Sequence, residues 1–151
     1  MKPVVTLDST PLGLIIQPRD GGDAEACRKW LKRVLASGSR IIVPEIVNYE
    51  LRRELLRMGR STAITDLAAF NAASADRYLP LTTQAMDLAA ELWAKVRRQG
   101  KPTSDPHALD VDMILAAQVL AAGFDAADFV IATSNISHLS LVAPAELWKN
   151  I

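Results

Sequence analysis

Three short runs of consecutive apolar residues, rich in β-branched side chains, stand well apart in the chain. They are VVTL at residues 4–7, RIIVP at 40–44 and FVIAT at 129–133. Uninterrupted runs of this length are typical of strands that a parallel sheet buries on both faces. A weaker candidate, RYLPLT at 77–82, contains Pro80, which cannot donate a ladder hydrogen bond and so indicates an edge strand or a strand end.

Helical periodicity fills the intervals between these strands, because apolar residues there repeat every three to four positions. The pattern predicts five helices, at residues 24–38, 45–59, 61–76, 83–100 and 110–123. Side chains that favour helix N-termini precede three of them. The candidate caps are Ser61 or Thr62, Thr82 or Thr83, and Asp110.

The remaining segments are shorter and less periodic. KPTSDPHA, residues 101–108, is predicted to be a loop, since Pro and small polar residues dominate it. In the tail after residue 136, the pattern favours a short edge strand near 141–142 and a final helical turn at AELW, residues 145–148.

Strands that alternate with helices indicate parallel pairing and right-handed crossovers. The predicted order is β-α-β-α-α-β-α-α-β with a short tail. We therefore expect one α/β domain spanning residues 1–151. It should be a three-layer sandwich, with a central parallel sheet of about four to five strands and helices on both faces.

Composition narrows the possible environments and partners. Lys+Arg and Asp+Glu both number 17, so the net charge is zero and any attraction to RNA must come from a local patch. The one cysteine, Cys27, cannot form an internal disulfide, which favours a reducing cytoplasm. No stretch reaches the roughly 20 apolar residues of a membrane span, and no signal segment is evident. We expect no membrane association.

Polar residues follow the predicted strands at the points where the chemistry of an open α/β sheet usually gathers. Asp8 comes directly after the first strand, and Asn135 lies two residues beyond the FVIAT strand. Glu50 lies in the helix after the second strand, while Asp110 and Asp112 open a later helix. Carboxylates brought together in this way would repel one another, and a hard divalent cation with oxygen ligands would relieve that repulsion.

Four segments together resemble the successive motifs of PIN-domain nucleases, and most closely those of VapC-like toxins. They are VVTLDST, IIVPEIVNYEL, LDVDMILAAQ and FVIATSN. Residue by residue, the motif acids correspond to Asp8, Glu50 and Asp112, and the final T-x-N motif corresponds to Thr133 and Asn135.

This resemblance implies a ribonuclease, a hydrolase in which Asp8, Glu50 and Asp112 hold Mg²⁺, or Mn²⁺, and an activated water attacks the phosphodiester. Asn135 would orient a carboxylate or a water. It also implies a toxin that a cognate antitoxin holds in check and that forms a homodimer, for which the Ala-rich helix around residues 61–75 offers a surface.

One position departs from the family pattern. Many relatives carry a further acid after the asparagine, where this chain has His138. A neutral histidine is a poor magnesium ligand, so a second bound metal is in question. Asp110, two residues before Asp112, is the candidate for a fourth carboxylate ligand.

Each acid, considered singly, also has an ordinary explanation. Asp8 can shape a turn, Glu50 can pair with Arg53 on an exposed helix, Asp110 can cap its helix, and Asp112 can favour the helix dipole. The occurrence of all the motifs in the family's order favours the metal site. For the run Arg52, Arg53, Arg57 and Arg60, a solvated face is the commoner outcome, and RNA phosphates or an acidic partner segment are the alternatives.

Three other functions fit less well or remain open. A phosphatase of the haloacid-dehalogenase type would need a second acid at position 10, which is Thr10. A receiver domain would need an acidic pair and a late lysine at a strand end, neither of which is evident. A catalytically weak or inactive PIN-like domain that binds RNA or protein without cutting stays open, because the further acid is missing.

Overall fold

A computed structural model describes residues 1–17, 21–100 and 106–151 of the chain. Five parallel strands form one sheet in the order β3-β2-β1-β4-β5. The strands are β1 at Val4–Leu7, β2 at Arg40–Pro44, β3 at Tyr78–Leu79, β4 at Phe129–Thr133 and β5 at Ala145–Leu147. Six helices surround them within the described ranges: α1 at Ser9–Ile16, α2 at Gly22–Ala36, α3 at Glu45–Arg57, α4 at Ser61–Ala72, α5 at Thr83–Arg98 and α6 at Pro106–Ala121.

The three apolar runs form the centre of the sheet, as predicted. β1 is buried along its whole length and pairs with β2 on one side and β4 on the other, so that Val5 stands opposite Ile41 and Val130. The weaker candidate provides only the two residues of β3, at the sheet edge, and the strand stops directly before Pro80. The predicted α/β class, with a parallel sheet between helices, is confirmed.

Among the six α-helices of the described ranges, α1 is the one that the apolar pattern did not predict. Pro11 and Gly13 look like helix breakers in the sequence. Pro11, however, lies in the first turn, where its missing N–H costs nothing. Gly13 faces α3, where a Cβ at this position would make an ordinary van der Waals contact with Leu51 Cδ1 at 3.5 Å.

One predicted helix start and two predicted N-caps were wrong. α6 begins at Pro106, so Asp110 lies inside the helix and is not its N-cap. Proline is pre-organised for a first helical position, which explains the earlier start. The part of the predicted loop at residues 101–105 lies outside the described residues. α4 is preceded by Arg60 without a side-chain cap, not by Ser61 or Thr62, whereas Thr82 caps α5 by accepting from Ala85 N.

The tail also differs from its prediction. Residues Leu139–Leu141 form a 3-10 turn and not a strand. The last strand, β5, lies where a helical turn was expected and pairs with β4, with Ala145 opposite Ile131. A three-residue strand carries too little periodicity to be recognised, and its position depends on the open edge of β4, which a sequence pattern does not reveal.

A buried glutamine ties α6 to two other elements. Gln118 is 2% exposed; its Oε1 accepts from Ile46 N at 3.0 Å and its Nε2 donates to Leu79 O at 3.0 Å. One side chain therefore forms hydrogen bonds with a backbone N–H at the start of α3 and with a backbone C=O of the edge strand β3.

Replacing Gln118 by Leu should lower the free energy of unfolding by about 2–4 kcal/mol, because it leaves a buried N–H and a buried C=O without partners. Urea denaturation followed by circular dichroism measures this loss. Gln99→Leu, at an exposed glutamine after α5, is the matched control and should cost less than about 0.5 kcal/mol. Equal stability of the Gln118 variant and the wild type would contradict the assignment.

Candidate functional site

Asp8 stands at the carboxyl end of the central strand β1 and is the N-cap of α1. Its Oδ1 accepts from Ser9 N at 2.7 Å, and its Oδ2 accepts from Thr133 Oγ1 at 2.7 Å. Burial raises the pKa of Asp8; the two hydrogen bonds counteract this, and the charge of Glu50 adds to it, so the pKa stays above its ordinary value. The carboxylate is thus held in one orientation although its charge is unfavourable there.

The T-x-N motif acts on Asp8 through its threonine. Thr133 ends β4 and is 1% exposed, while the backbone N–H of Asn135 donates to Thr133 Oγ1 at 3.1 Å. The exposed side chain of Asn135 turns the other way, since its Oδ1 accepts from Ser137 N at 3.0 Å. The structure therefore places Thr133, rather than the side chain of Asn135, against the acid.

Asp112 reaches the same end of the sheet from α6. Its Oδ2 lies 2.8 Å from His138 Nδ1. The pKa of Asp112 is raised to about 6, first by burial and then by the charge of Asp8, with a smaller contribution from Glu50, while the hydrogen bond from His138 lowers it. Asp112 is consequently a buried acid among other acids, held on one oxygen by a ring nitrogen.

Glu50 completes the group from α3. It is half-buried, and its charge raises the pKa values of both Asp8 and Asp112. Glu50 also lines an open cavity of about 260 Å³ together with Ser9, Thr10 and Arg53. Three acids far apart in sequence thus lie within electrostatic reach of one another, one each from the end of β1, from α3 and from α6.

Asp110 is not part of this group. It is exposed and lines a groove of about 290 Å³ between α5 and α6, with Met86, Trp93 and Met113. Residues two apart on a helix point in nearly opposite directions, so the helical start at Pro106 that places Asp112 inward turns Asp110 outward. We do not include Asp110 in the proposed ligand set.

A sequence model of the PIN domain family matches residues 5–137, which include all of these acids. The chain belongs to the PIN domain family. The resemblance to PIN-domain proteins and VapC-like toxins that the motifs suggested is thereby confirmed, and the solved structures similar to this chain agree with it.

Three solved structures with the same fold illustrate the similarity. VapBC2 from Rickettsia felis, bound to a DNA fragment from its promoter, is 15% identical with a TM-score of 0.71 and covers 96% of this chain and 98% of its own. VapC20 from Mycobacterium tuberculosis, a sarcin-ricin loop cleaving toxin, is 18% identical with a TM-score of 0.61 and covers 92% and 95%. FitAcB from Neisseria gonorrhoeae is 16% identical with a TM-score of 0.69 and covers 97% and 99%.

A search of curated proteins gives no match to this PIN domain. Within the described ranges, no helix combines the length and the apolar character that crossing a membrane requires.

The acids of this PIN domain have the donor chemistry of a divalent-cation site. In the part of the chain that the structure describes, no three His, Cys, Asp or Glu side chains are arranged to hold a metal ion as they stand. The charge of Glu50 nevertheless raises the pKa values of Asp8 and Asp112, and the charge of Asp8 also raises that of Asp112. Such repulsion is what a bound cation relieves. The oxygen donors suit Mg²⁺ or Mn²⁺, so the residues fit the ion in chemistry.

His138 is a neighbour of the acids that sequence reasoning did not assign to them. It stood out only as a poor magnesium ligand at a position where relatives have an acid, yet its Nδ1 contacts Asp112 Oδ2. The sequence spacing between Asn135 and His138 singled out this position, but nothing in the sequence indicated which acid the imidazole ring would contact. The side chain is 13% exposed, so it is well placed to fix the orientation of Asp112.

Proposed function

We propose that this PIN domain is a metal-dependent endoribonuclease, the toxin of a toxin–antitoxin pair. The observation that carries the proposal is the convergence of Asp8, Glu50 and Asp112, from three different elements, on one end of the sheet, where burial and neighbouring acids raise the pKa values of Asp8 and Asp112. The family assignment and the VapC-like neighbours support it. The cytoplasm, where cellular RNA is found, is the location that goes with this function.

In this proposal Asp8, Glu50 and Asp112 hold Mg²⁺, with Mn²⁺ as the alternative. A bound ion would supply the positive charge that activates water and stabilises the charge on the phosphate. The chain's own groups keep the acids oriented: Thr133 donates to Asp8 Oδ2, and His138 contacts Asp112 Oδ2. Removing a contact that orients a metal ligand typically lowers metal affinity or activity about 10- to 100-fold, and we expect a loss of about that size here.

Cleavage of cellular RNA by the purified protein tests the proposal. With Mg²⁺, new RNA ends should appear on sequencing, and EDTA should abolish them. Glu50→Gln should lower the rate about a hundredfold or more, whereas Glu91→Gln, at an exposed glutamate of α5, should leave it within about twofold. Induced expression of the wild type in bacteria should arrest growth. If no new RNA ends appear either with the purified protein or after induced expression in bacteria, the proposed nuclease function is refuted.

A PIN-like domain that binds without cutting is the second candidate. Two observations favour it: His138 stands where relatives carry a further acid, and the acids of the described chain are not arranged as a ready cation site. Titration with Mg²⁺ and Mn²⁺, followed by isothermal calorimetry, separates the two functions. No heat of binding, together with no effect of Asp8→Asn on RNA affinity, would favour the binder.

The antitoxin is proposed to be a protein that covers an apolar groove beside the site. A groove of about 230 Å³ separates α1 from α3 and α4, and its lining is Gly13, Ile16, Gln17, Leu51, Leu55, Met58, Arg60 and Ala63. Its walls are mostly apolar, and Arg60 could form an ion pair with an acidic residue of the antitoxin. Co-expression of the cognate antitoxin should restore growth, and Leu51→Glu should abolish that rescue.

We also propose that the protein is a homodimer. The predicted surface was the region of residues 61–75, and within it α4 has one fully buried side chain, Leu67. Much of the rest of α4 is open to solvent and could pack against a second copy. Light scattering after size-exclusion chromatography gives the molar mass, and a monomer at all concentrations would contradict this part of the proposal.

A further inference from the structure

An aromatic ring stands open to solvent directly beside the acidic site. Tyr49 precedes Glu50 on α3 and is 54% exposed. A single exposed apolar residue needs no explanation, but this ring is not isolated. The guanidinium of Arg53 lies over it, 5.2 Å from its centroid.

Arg53 links the ring to the acids. It lines the same cavity of about 260 Å³ as Glu50, Ser9 and Thr10. On a helix of about 100° per residue, Arg53 is displaced by about 40° from Tyr49 and by about 60° from Glu50. The ring, the guanidinium and the carboxylate therefore follow one another around a single face of α3.

The run Arg52, Arg53, Arg57 and Arg60, of which Arg60 lies beyond the end of α3, thus contains residues with different surroundings. Arg57 is bound to Glu54 in an exposed ion pair, and Arg60 lines the apolar groove between α1, α3 and α4. Among the arginines of this run, all of which lie in the described chain, Arg53 is the one that lines the cavity with Glu50. A solvated face accounts for the run as a whole but not for this arrangement.

We propose that Tyr49 and Arg53 bind an unpaired nucleotide beside the phosphate that is cut. Its base stacks on the open part of the Tyr49 ring, and Arg53 contacts its phosphate. This inference rests on the proposed ribonuclease function and specifies which part of the substrate the site holds. Stacking on an aromatic ring requires a base that is free of its own helix, so the pair selects single-stranded or looped RNA.

Charge explains why such a pair is needed. The chain has no net charge, so RNA is not attracted by the protein as a whole. The acids of the site repel phosphates. The guanidinium of Arg53, which lines the same cavity as Glu50, offsets that repulsion locally. An acidic peptide would also be attracted by Arg53 but would gain little from the ring, so the ring distinguishes the two occupants.

RNA binding without cleavage tests the pair. The Asp8→Asn protein, in Mg²⁺, is titrated into a short fluorescein-labelled single-stranded RNA, and anisotropy is followed at several salt concentrations. Adding Tyr49→Ala should weaken binding about 5- to 100-fold, since that is the range for one stacked base. Tyr49→Phe keeps the ring and should stay within about twofold of the parent.

Arg53→Gln should weaken binding and reduce the slope of log affinity against log salt by about 0.7, the value for one phosphate contact with a single strand. Arg52→Gln is the matched control, because it removes the same charge from an exposed neighbouring position of the same helix. It should leave the slope unchanged. A fully paired RNA duplex should bind with no dependence on Tyr49, because its bases are covered.

The outcomes separate this inference from the function on which it rests. Unchanged affinity in Tyr49→Ala and Arg53→Gln, or an equal loss in Arg52→Gln, would overturn it. So would an acidic peptide that competes with RNA and loses affinity equally in Tyr49→Ala. In the cleavage-competent protein, Tyr49→Ala should raise KM and leave kcat within about threefold.

If the wild type cleaves RNA and KM does not respond to Tyr49→Ala, the nuclease stands and this inference fails. If nothing is cleaved but the affinities fall as expected, the nuclease fails and the nucleotide-binding pair stands. Thermal melting followed by circular dichroism checks that every variant is folded.

Discussion

Asp8→Asn is expected to lower kcat/KM for RNA cleavage about a thousandfold or more, with the protein still folded. Asp8 is the most deeply placed of the three acids, at the end of the central strand. The substitution removes the negative charge that a divalent ion needs and leaves the shape of the side chain almost unchanged. Initial rates on a fluorogenic RNA in Mg²⁺ measure the loss.

The fold should tolerate this change because the neighbouring hydroxyl can reverse its hydrogen bond. The amide oxygen of an asparagine can still accept from Ser9 N, as Asp8 Oδ1 does at 2.7 Å. Its NH₂ can then donate to Thr133 Oγ1, whose own proton can turn to Asn135 O, 3.2 Å away. A neutral amide is also easier to bury than a carboxylate whose pKa is raised by burial.

Thr133→Val is the companion variant, because it keeps the charge of Asp8 and removes only the hydroxyl that holds it. We expect a loss of about 10- to 100-fold, the usual range for a group that orients a metal ligand. Cleavage by Asp8→Asn within about tenfold of the wild type would mean that the reaction does not depend on this acid, and the proposed site would be wrong.

The sequence predicted the part of the site that depends on strand order. Asp8 and Thr133 each stand at the end of an uninterrupted apolar run, and parallel neighbouring strands bring such ends to one edge. In the structure, the register places Leu7 opposite Ala132 and leaves Asp8 next to the end of β4. For these two residues, the positions of the apolar runs were enough to predict the edge of the sheet at which they lie.

The sequence did not predict contacts that depend on helix starts and packing. Asp110 was the candidate for a fourth ligand beside Asp112, but the start of α6 at Pro106 turns Asp110 outward and Asp112 inward. The contact between His138 and Asp112 joins a loop to a helix 26 residues away, which no local pattern encodes. Arg53 was one member of an arginine run in the sequence, and only the structure shows its guanidinium over the Tyr49 ring and in the same cavity as Glu50.

The second large effect concerns stability in the absence of metal. Asp112 has a pKa raised to about 6 in the folded protein, against an ordinary value of 3.8 that the unfolded chain should keep. Between these two values the folded protein binds more protons than the unfolded chain, so the free energy of unfolding falls as the pH rises. The loss is complete above the folded pKa and amounts to about 3 kcal/mol at most, at about 1.4 kcal/mol per pKa unit.

Asp112→Asn should therefore stabilise the metal-free protein by about 1–3 kcal/mol at pH values above 7 and have little effect at pH values below 4. An asparagine cannot ionise, and its amide oxygen can still accept a hydrogen bond from His138. Urea denaturation in EDTA, repeated across this pH range, gives the free energies of unfolding. Asp110→Asn is the matched control, because it changes an exposed acid of the same helix, and it should show no such pH-dependent gain.

Mg²⁺ should narrow the difference between the wild type and Asp112→Asn. An ion that binds the folded protein alone stabilises it by about 2.7 kcal/mol at a hundredfold excess over its Kd, and this gain requires the carboxylate that the variant lacks. The wild type should thus gain stability with Mg²⁺ above pH 7, while Asp112→Asn gains little. Most substitutions destabilise proteins. A higher free energy of unfolding in Asp112→Asn would therefore be specific evidence that the metal-free site contains charge repulsion, which a bound cation would relieve. A variant less stable than the wild type in EDTA at high pH would show instead that Asp112 is held in its place by favourable contacts, and the metal site would lose its main support.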